Sequence, residues 1–224
     1  MFTKLSETKY DTEKPLGYLL LYEGAFAHLL DKEVKLLELG VGRGDSLLMW
    51  RDYFLKGTIV GLDRDPVELD DQTGMVYIYR GNQEDKELLT KITQERAPNG
   101  WDIIIDDCSH IGELTKISFW HLFEYLKTGG IYIIKDWGTG YLGGHICYPD
   151  GQRVQPVVYE REEQQFIKRF PSHDYGMVGF VKELVDECGM YDITHPVWGN
   201  PPQRPERISK MQISPGQVMV YKRW

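Results

Sequence analysis

The chain has 224 residues, 42% of them hydrophobic, and a formal net charge of −8. That is enough apolar material for one substantial core, so a single domain over residues 1–224 is expected. The acidic balance and the lack of any Lys/Arg block argue against a nucleic-acid surface. Three widely spaced cysteines, Cys108, Cys147 and Cys188, offer no disulfide framework or zinc knuckle and fit a reducing compartment. The opening MFTKLSETKYDTEK has no apolar signal core, and no stretch reaches membrane-spanning length. A soluble cytoplasmic protein with no membrane partner follows as the expectation.

In chain order, LGYLLLYEGAFAHLL (16–30) places Leu19, Tyr22, Phe26 and Leu29 on one helical face, so residues 1–34 read as a helical extension. Residues 36–63, LLELGVGRGDSLLMWRDYFLKGTIVGLD, read as strand, glycine turn, helix, strand and terminal acid. A third strand is expected near Met75–Tyr79, a helix over Glu84–Arg96, and a loop at Ala97–Gly100. DIIID (102–106) has the continuous apolar character of a strand buried on both faces. A helix beginning near Ile111 continues over Ile117–Leu126, is stopped by Thr128-Gly129-Gly130, and leads to a strand at Ile131–Ile134.

Residues 138–158 are too long and too rich in Gly and Tyr for an ordinary connection and suggest an active-site lid. Helices are expected at Glu160–Phe170 and Tyr175–Cys188. The tail alternates around Ser214-Pro215-Gly216 as an antiparallel hairpin, Ile208–Ile213 with Val218–Lys222. The fold class is therefore α/β: a Rossmann-like, doubly wound, mostly parallel sheet with a C-terminal antiparallel hairpin and a helical N-terminal extension.

The glycine turn bears on the cofactor. Glu38-x-Gly40-x-Gly42-x-Gly44 departs from the dinucleotide pattern G-x-G-x-x-G, and Glu38 and Asp45 beside it would repel a diphosphate. Both acids suit a cationic nucleoside cofactor such as S-adenosylmethionine, and Asp63 at the end of the second strand can accept from a ribose diol. The candidate cofactor-binding residues are Tyr18, Glu38, Gly40, Gly42, Ser46, Asp63, Arg64, Gln83, Asp85 and Asp106.

Ligands of an open α/β sheet bind beyond the carboxyl ends of its strands. There the chain places Asp106-Asp107-Cys108-Ser109-His110 and Lys135-Asp136-Trp137. One of Asp107 and Ser109 is expected to cap the following helix, a role that leaves His110 and Asp136 unexplained. Methyl transfer to a hydroxyl needs a base, and an imidazole titrates near neutrality, which suits His110. Asp107 and Asp136 are candidate ligands for a divalent cation.

The E-x-G-x-G-x-G run resembles the first motif of class I S-adenosylmethionine-dependent methyltransferases. A narrower resemblance rests on Tyr10-Asp11 with Lys14, Gly17-Tyr18 and Tyr22, on LLELGVGRGDSLLMWRDYF and IVGLD, and on IDDCSH and GGIYIIKDWGTGY. These resemble the macrolide-sugar O-methyltransferases of the mycinamicin/tylosin type and, more distantly, the cephalosporin-hydroxylase-like proteins. The match runs from Tyr10 to Tyr141 and loosens in the tail. It implies an O-methyltransferase using S-adenosylmethionine and magnesium on a sugar hydroxyl of a small-molecule acceptor, usually as a homo-oligomer.

Two departures stand out. Cys108 replaces the family's glycine in I-D-D-G-S-H, and Lys135 stands where the family has a metal-binding glutamate. Lys135 therefore joins His110 and Asp107 as a candidate catalytic group. Either its ammonium turns aside and Asp107 and Asp136 bind magnesium weakly, or it bridges the two aspartates in place of the ion. The competing readings are a nucleotide-dependent oxidoreductase and a non-catalytic S-adenosylmethionine binder.

Overall fold

The computed structural model describes residues 4–141, 176–189 and 206–223. Seven strands form one sheet: β1 (Lys35–Leu39), β2 (Thr58–Asp63), β3 (Val76–Arg80), β4 (Trp101–Asp106), β5 (Leu126–Lys135), β6 (Ile208–Ser214) and β7 (Gln217–Lys222). Their spatial order is β3-β2-β1-β4-β5-β7-β6. The first five are mutually parallel, while β7 runs antiparallel to both β5 and β6. The expected doubly wound sheet with its terminal hairpin is present.

Both faces are covered. Because side chains alternate along a strand, Leu36, Ile103, Ile105, Ile131 and Ile133 face α1 (Leu16–Phe26) and α2 (Asp45–Tyr53). Leu37, Leu39, Ile104, Tyr132 and Ile134 face α3 (Lys86–Arg96), α4 (Gly112–Glu124) and α5 (Gly176–Gly189). On the first face Tyr22, Phe26 and Trp50 are fully buried, with ring centroids 5.3 to 5.9 Å apart. Burying each such ring contributes roughly 1.5–3 kcal/mol, which fastens α1 and α2 to the sheet.

Two expected elements shift. The helix after β4 begins at Gly112, as expected from the start near Ile111, and a Cβ there would collide with the backbone of Gly176 in α5. It ends at Glu124, where Tyr125 N donates to Leu122 O and Trp101 N takes the Tyr125 carbonyl. Thr128-Gly129-Gly130 is therefore no helix stop but lies inside β5, where the register with β4 slips between Trp101 and Ile103. Gly129 takes φ +75° in this irregular stretch. The expected lid begins in a 3-10 turn, Trp137–Tyr141, while its remainder and the Glu160–Phe170 helix lie outside the described residues. Among the described residues no helix is long and apolar enough to cross a membrane.

Candidate active site

β1 ends in Gly40-Val41-Gly42-Arg43-Gly44, and all three glycines hold positive φ, at +77°, +52° and +88°. Gly40 has a second constraint: a Cβ would collide with the Asp107 carbonyl oxygen and with Cys108 Cα. The turn thus packs directly on the chain leaving β4. Asp63 staples it from the end of β2. Its Oδ2 accepts from Val41 N at 2.9 Å and Gly42 N at 3.0 Å, and its Oδ1 accepts from Asp65 N at 3.0 Å.

A polar cluster lies across the ends of β1, β4 and β5. Lys14, with a side chain only 4% exposed, puts Nζ 3.2 Å from Glu38 Oε1 and 3.1 Å from Asp107 Oδ2. Glu38 is fully buried and also accepts from Trp50 Nε1 at 3.0 Å. Lys135, 7% exposed, approaches the same Asp107 oxygen at 2.7 Å and Asp136 Oδ2 at 3.8 Å. His110 Nε2 lies 3.9 Å from Asp136 Oδ2, and Tyr18 donates to Asp136 Oδ1 at 3.4 Å.

Burial alone would raise the Asp107 carboxyl, but Lys14 and Lys135 reverse this and hold it below the ordinary carboxylate value. Burial alone would lower Lys14, and the charges of Glu38 and Asp107 hold it well above the ordinary lysine value instead. Asp107 and Lys14 are thereby both held in their charged forms.

Turn and cluster border one cavity of about 900 Å³. Its walls carry seven carboxylates (Asp11, Glu13, Asp45, Asp63, Asp65, Asp107, Asp136) against four cationic side chains (Lys14, Arg43, Arg64, Lys135). An excess of acid favours a cationic ligand over a diphosphate, and the glycine cradle admits close backbone approach, so the site fits S-adenosylmethionine. A smaller groove of about 520 Å³ at Lys86, Trp120 and His121 has no such turn.

Of the expected site residues, Gly40, Gly42, Ser46, Asp63, Arg64, Asp107, His110, Lys135 and Asp136 border this cavity. The other five do not border it. Asp106 shares the face of Ile104 by strand alternation, so its carboxylate points into the core, accepting from Ser118 Oγ at 3.1 Å and Tyr132 OH at 3.2 Å. Burial pushes it up to about 6. Gln83 is buried beside it; its Oε1 accepts from Ser109 N at 3.1 Å, so it braces the loop rather than lining the cavity. Asp85 caps α3 through Leu88 N. Glu38 sits beneath the turn, held by Lys14 and Trp50. Tyr18 lies behind Asp136 and Lys135, with its ring centroid 5.5 Å from the ammonium.

Neither Asp107 nor Ser109 caps α4. Ser109 Oγ accepts from Ile111 N at 3.2 Å, a local turn only. Burial pushes the Cys108 thiol up to about 12, which removes it as a nucleophile. Sequence reading left Lys14 without a role, although it was one of the residues carrying the resemblance. Its partners lie 24 and 93 positions away, beyond any local pattern.

Asp107, His110 and Asp136 can each offer a ligand atom, all within 4.8 Å of one another. Of the two arrangements open to Lys135, the structure has the bridging one. The Asp107 oxygen that would ligate an ion is already engaged by two ammonium groups, Lys14 at 3.1 Å and Lys135 at 2.7 Å. The residues present therefore do not fit magnesium.

No family model matches the chain. Over 133 residues (56% of this chain, 33% of the relative) it is 38% identical to 8-demethyl-8-(2-methoxy-alpha-L-rhamnosyl)-tetracenomycin-C 3'-O-methyltransferase of Streptomyces olivaceus. Over 139 residues (58% and 34%) it is 37% identical to mycinamicin VI 2''-O-methyltransferase of Micromonospora griseorubida. Over 223 residues (92% and 50%) it is 29% identical to a second Streptomyces olivaceus enzyme, 8-demethyl-8-alpha-L-rhamnosyl tetracenomycin-C 2'-O-methyltransferase.

The chain thus spans between a third and a half of the length of these relatives. Among solved structures it is similar to the MycE methyltransferase of mycinamycin biosynthesis, determined with magnesium and S-adenosylhomocysteine. The TM-score is 0.76 with 26% identity, over 100% of this chain and 55% of that one. The chain is similar in sequence to these sugar O-methyltransferases and shares the Rossmann-like fold of the MycE methyltransferase.

Proposed function

We propose that this chain is an S-adenosylmethionine-dependent O-methyltransferase that methylates a hydroxyl of a sugar-like small molecule, with His110 as general base. The observation that carries the reading is one cavity bordered at the same time by the Gly40–Gly44 turn with Asp63 and by His110 with Asp136. Bound there, the cofactor would supply an electrophilic methyl group on a positively charged sulfur. The turn and Asp63 would hold its nucleoside part. His110 would take the proton of the acceptor hydroxyl, freeing an oxygen lone pair to form the new O–CH₃ bond. Asp136, 3.9 Å from the imidazole, faces the charge that His110 gains with that proton.

A cytoplasmic setting goes with this reading, supported by Cys108 and Cys188 standing as free thiols. Self-association, implied by the resemblance, is read from the particle mass in solution. The test of function is calorimetry with S-adenosylhomocysteine and with a reduced nicotinamide dinucleotide, followed by labelled-methyl transfer to a panel of glycosides. Binding of the first and label on a glycoside oxygen are expected. Binding of the nicotinamide alone would turn the assignment to hydride transfer.

A further inference from the structure

Resting on the methyltransferase reading, we infer that the Lys135 ammonium is a built-in cation that takes the place of a divalent metal in this site. Asp107 and Asp136 approach one another from the ends of β4 and β5, and an ammonium stands between them. Lys135 Nζ is 2.7 Å from Asp107 Oδ2 and 3.8 Å from Asp136 Oδ2. The same Asp107 oxygen is already shared with Lys14 at 3.1 Å. Three carboxylates, Glu38, Asp107 and Asp136, therefore meet two fixed ammonium groups, leaving one net negative charge. A dication would overfill that balance, whereas the positive charge that His110 acquires with the acceptor's proton would complete it.

The ammonium is also held where it is. Backbone pairing with Gln217 of β7 fixes the strand end that carries Lys135, and the ammonium stands over the Tyr18 ring, 5.5 Å from its centroid. Tyr18 in turn is pressed on the Ser214-Pro215-Gly216 turn, since a Cβ at Gly216 would collide with its hydroxyl. Covered in this way, the side chain has little room to swing aside for an incoming ion. Asp107 engages one of the three ammonium donors, and Lys135 borders the cavity, so a donor is available to an acceptor oxygen as it loses its proton to His110.

The deciding measurement is Mn²⁺ titration of the folded protein, followed by the electron-spin resonance of free metal, with Mg²⁺ calorimetry beside it. The parent is expected to show no saturable site at millimolar metal. Lys135→Glu replaces the ammonium with a third carboxylate and is expected to bind metal at least about tenfold more tightly. A saturable site in the parent that Asp136→Asn abolishes overturns the inference, whatever the variants do.

Turnover gives the second readout. Activity of the parent should be unchanged by excess EDTA, and Lys135→Met should lose turnover without recovery by added Mg²⁺. Loss of the parent's turnover in EDTA, restored by Mg²⁺, would overturn the inference equally. Failure to bind S-adenosylhomocysteine would instead count against the methyltransferase reading, and the metal titration stands apart from it.

Discussion

His110 and Asp136 face each other from the ends of neighbouring strands, Nε2 to Oδ2 3.9 Å, and both hold left-handed backbone, at φ +55° and +50°. Such conformations cost a non-glycine residue about 1–3 kcal/mol and persist where the surroundings impose them. Two of them meeting across one cavity aim the imidazole and the carboxylate at the same space. The strain is thus concentrated at the two residues proposed to handle the acceptor's proton.

If His110 is the base, His110→Ala lowers turnover by roughly 10²- to 10⁴-fold. Affinity for S-adenosylhomocysteine should stay within about twofold, because no cofactor-turn contact is lost. Single-turnover kinetics with a glycoside acceptor, beside calorimetry, separates the two quantities. Near-normal turnover would reduce His110 to a loop residue.

Asp63 has a double task that strengthens its expected effect. It offers oxygens towards the cavity and also holds the amides of Val41 and Gly42. Asp63→Ala should weaken S-adenosylhomocysteine binding by about 1.5–3 kcal/mol, measured by calorimetry. Asp63→Asn, which keeps one acceptor oxygen for the turn, should lose less.

Gly40 and Gly42 should respond differently to alanine. Both hold positive φ, but only at Gly40 does the new Cβ meet backbone, whereas at Gly42 it enters open space. Gly42→Ala is expected to cost roughly 1 kcal/mol of stability, the ordinary left-handed penalty, and Gly40→Ala more than about 2 kcal/mol. Urea denaturation ranks them, and equal losses would contradict the packing of Gly40 on Asp107.

Lys14→Met strands Glu38, fully buried, with Trp50 as its remaining partner. Removing one member of a buried pair typically costs about 3–5 kcal/mol. Chemical denaturation should show a loss of that order. Arg43, itself exposed and paired with Asp11, Glu13 and the half-buried Asp45, should be replaceable by alanine with little change in unfolding free energy.

Asp106 gives the protein a pH signature. Its carboxyl stands at about 6 in the fold against 3.8 as the ordinary value, so the native state binds that proton more tightly than the unfolded chain. The resulting stabilisation is complete below pH 3.8 and is lost as pH rises through about 6, an overall change of about 3 kcal/mol. Asp106→Asn has no proton to lose. Unfolding free energies at pH 4 and pH 7 should therefore move in favour of the variant by about that amount, and a constant difference would show Asp106 to be ionised throughout.

Continuous apolar runs bounded by glycine and acid made β1, β2 and β4 legible from residue order alone, because a central parallel strand must be apolar on both faces. The same logic placed His110, Asp107 and Asp136 on one rim, since strand ends of a doubly wound sheet converge there. Which face a strand-end side chain takes was decided by register. One residue of alternation sends Asp106 into the core under α4 and leaves Asp107 at the cavity. Lys14 reached Glu38 and Asp107 only through the folding of the N-terminal segment across the turn. Residue order left Lys135 with two positions. Packing by Tyr18 and the β6–β7 turn chose the one between the aspartates, because a buried ammonium settles where its charge is met.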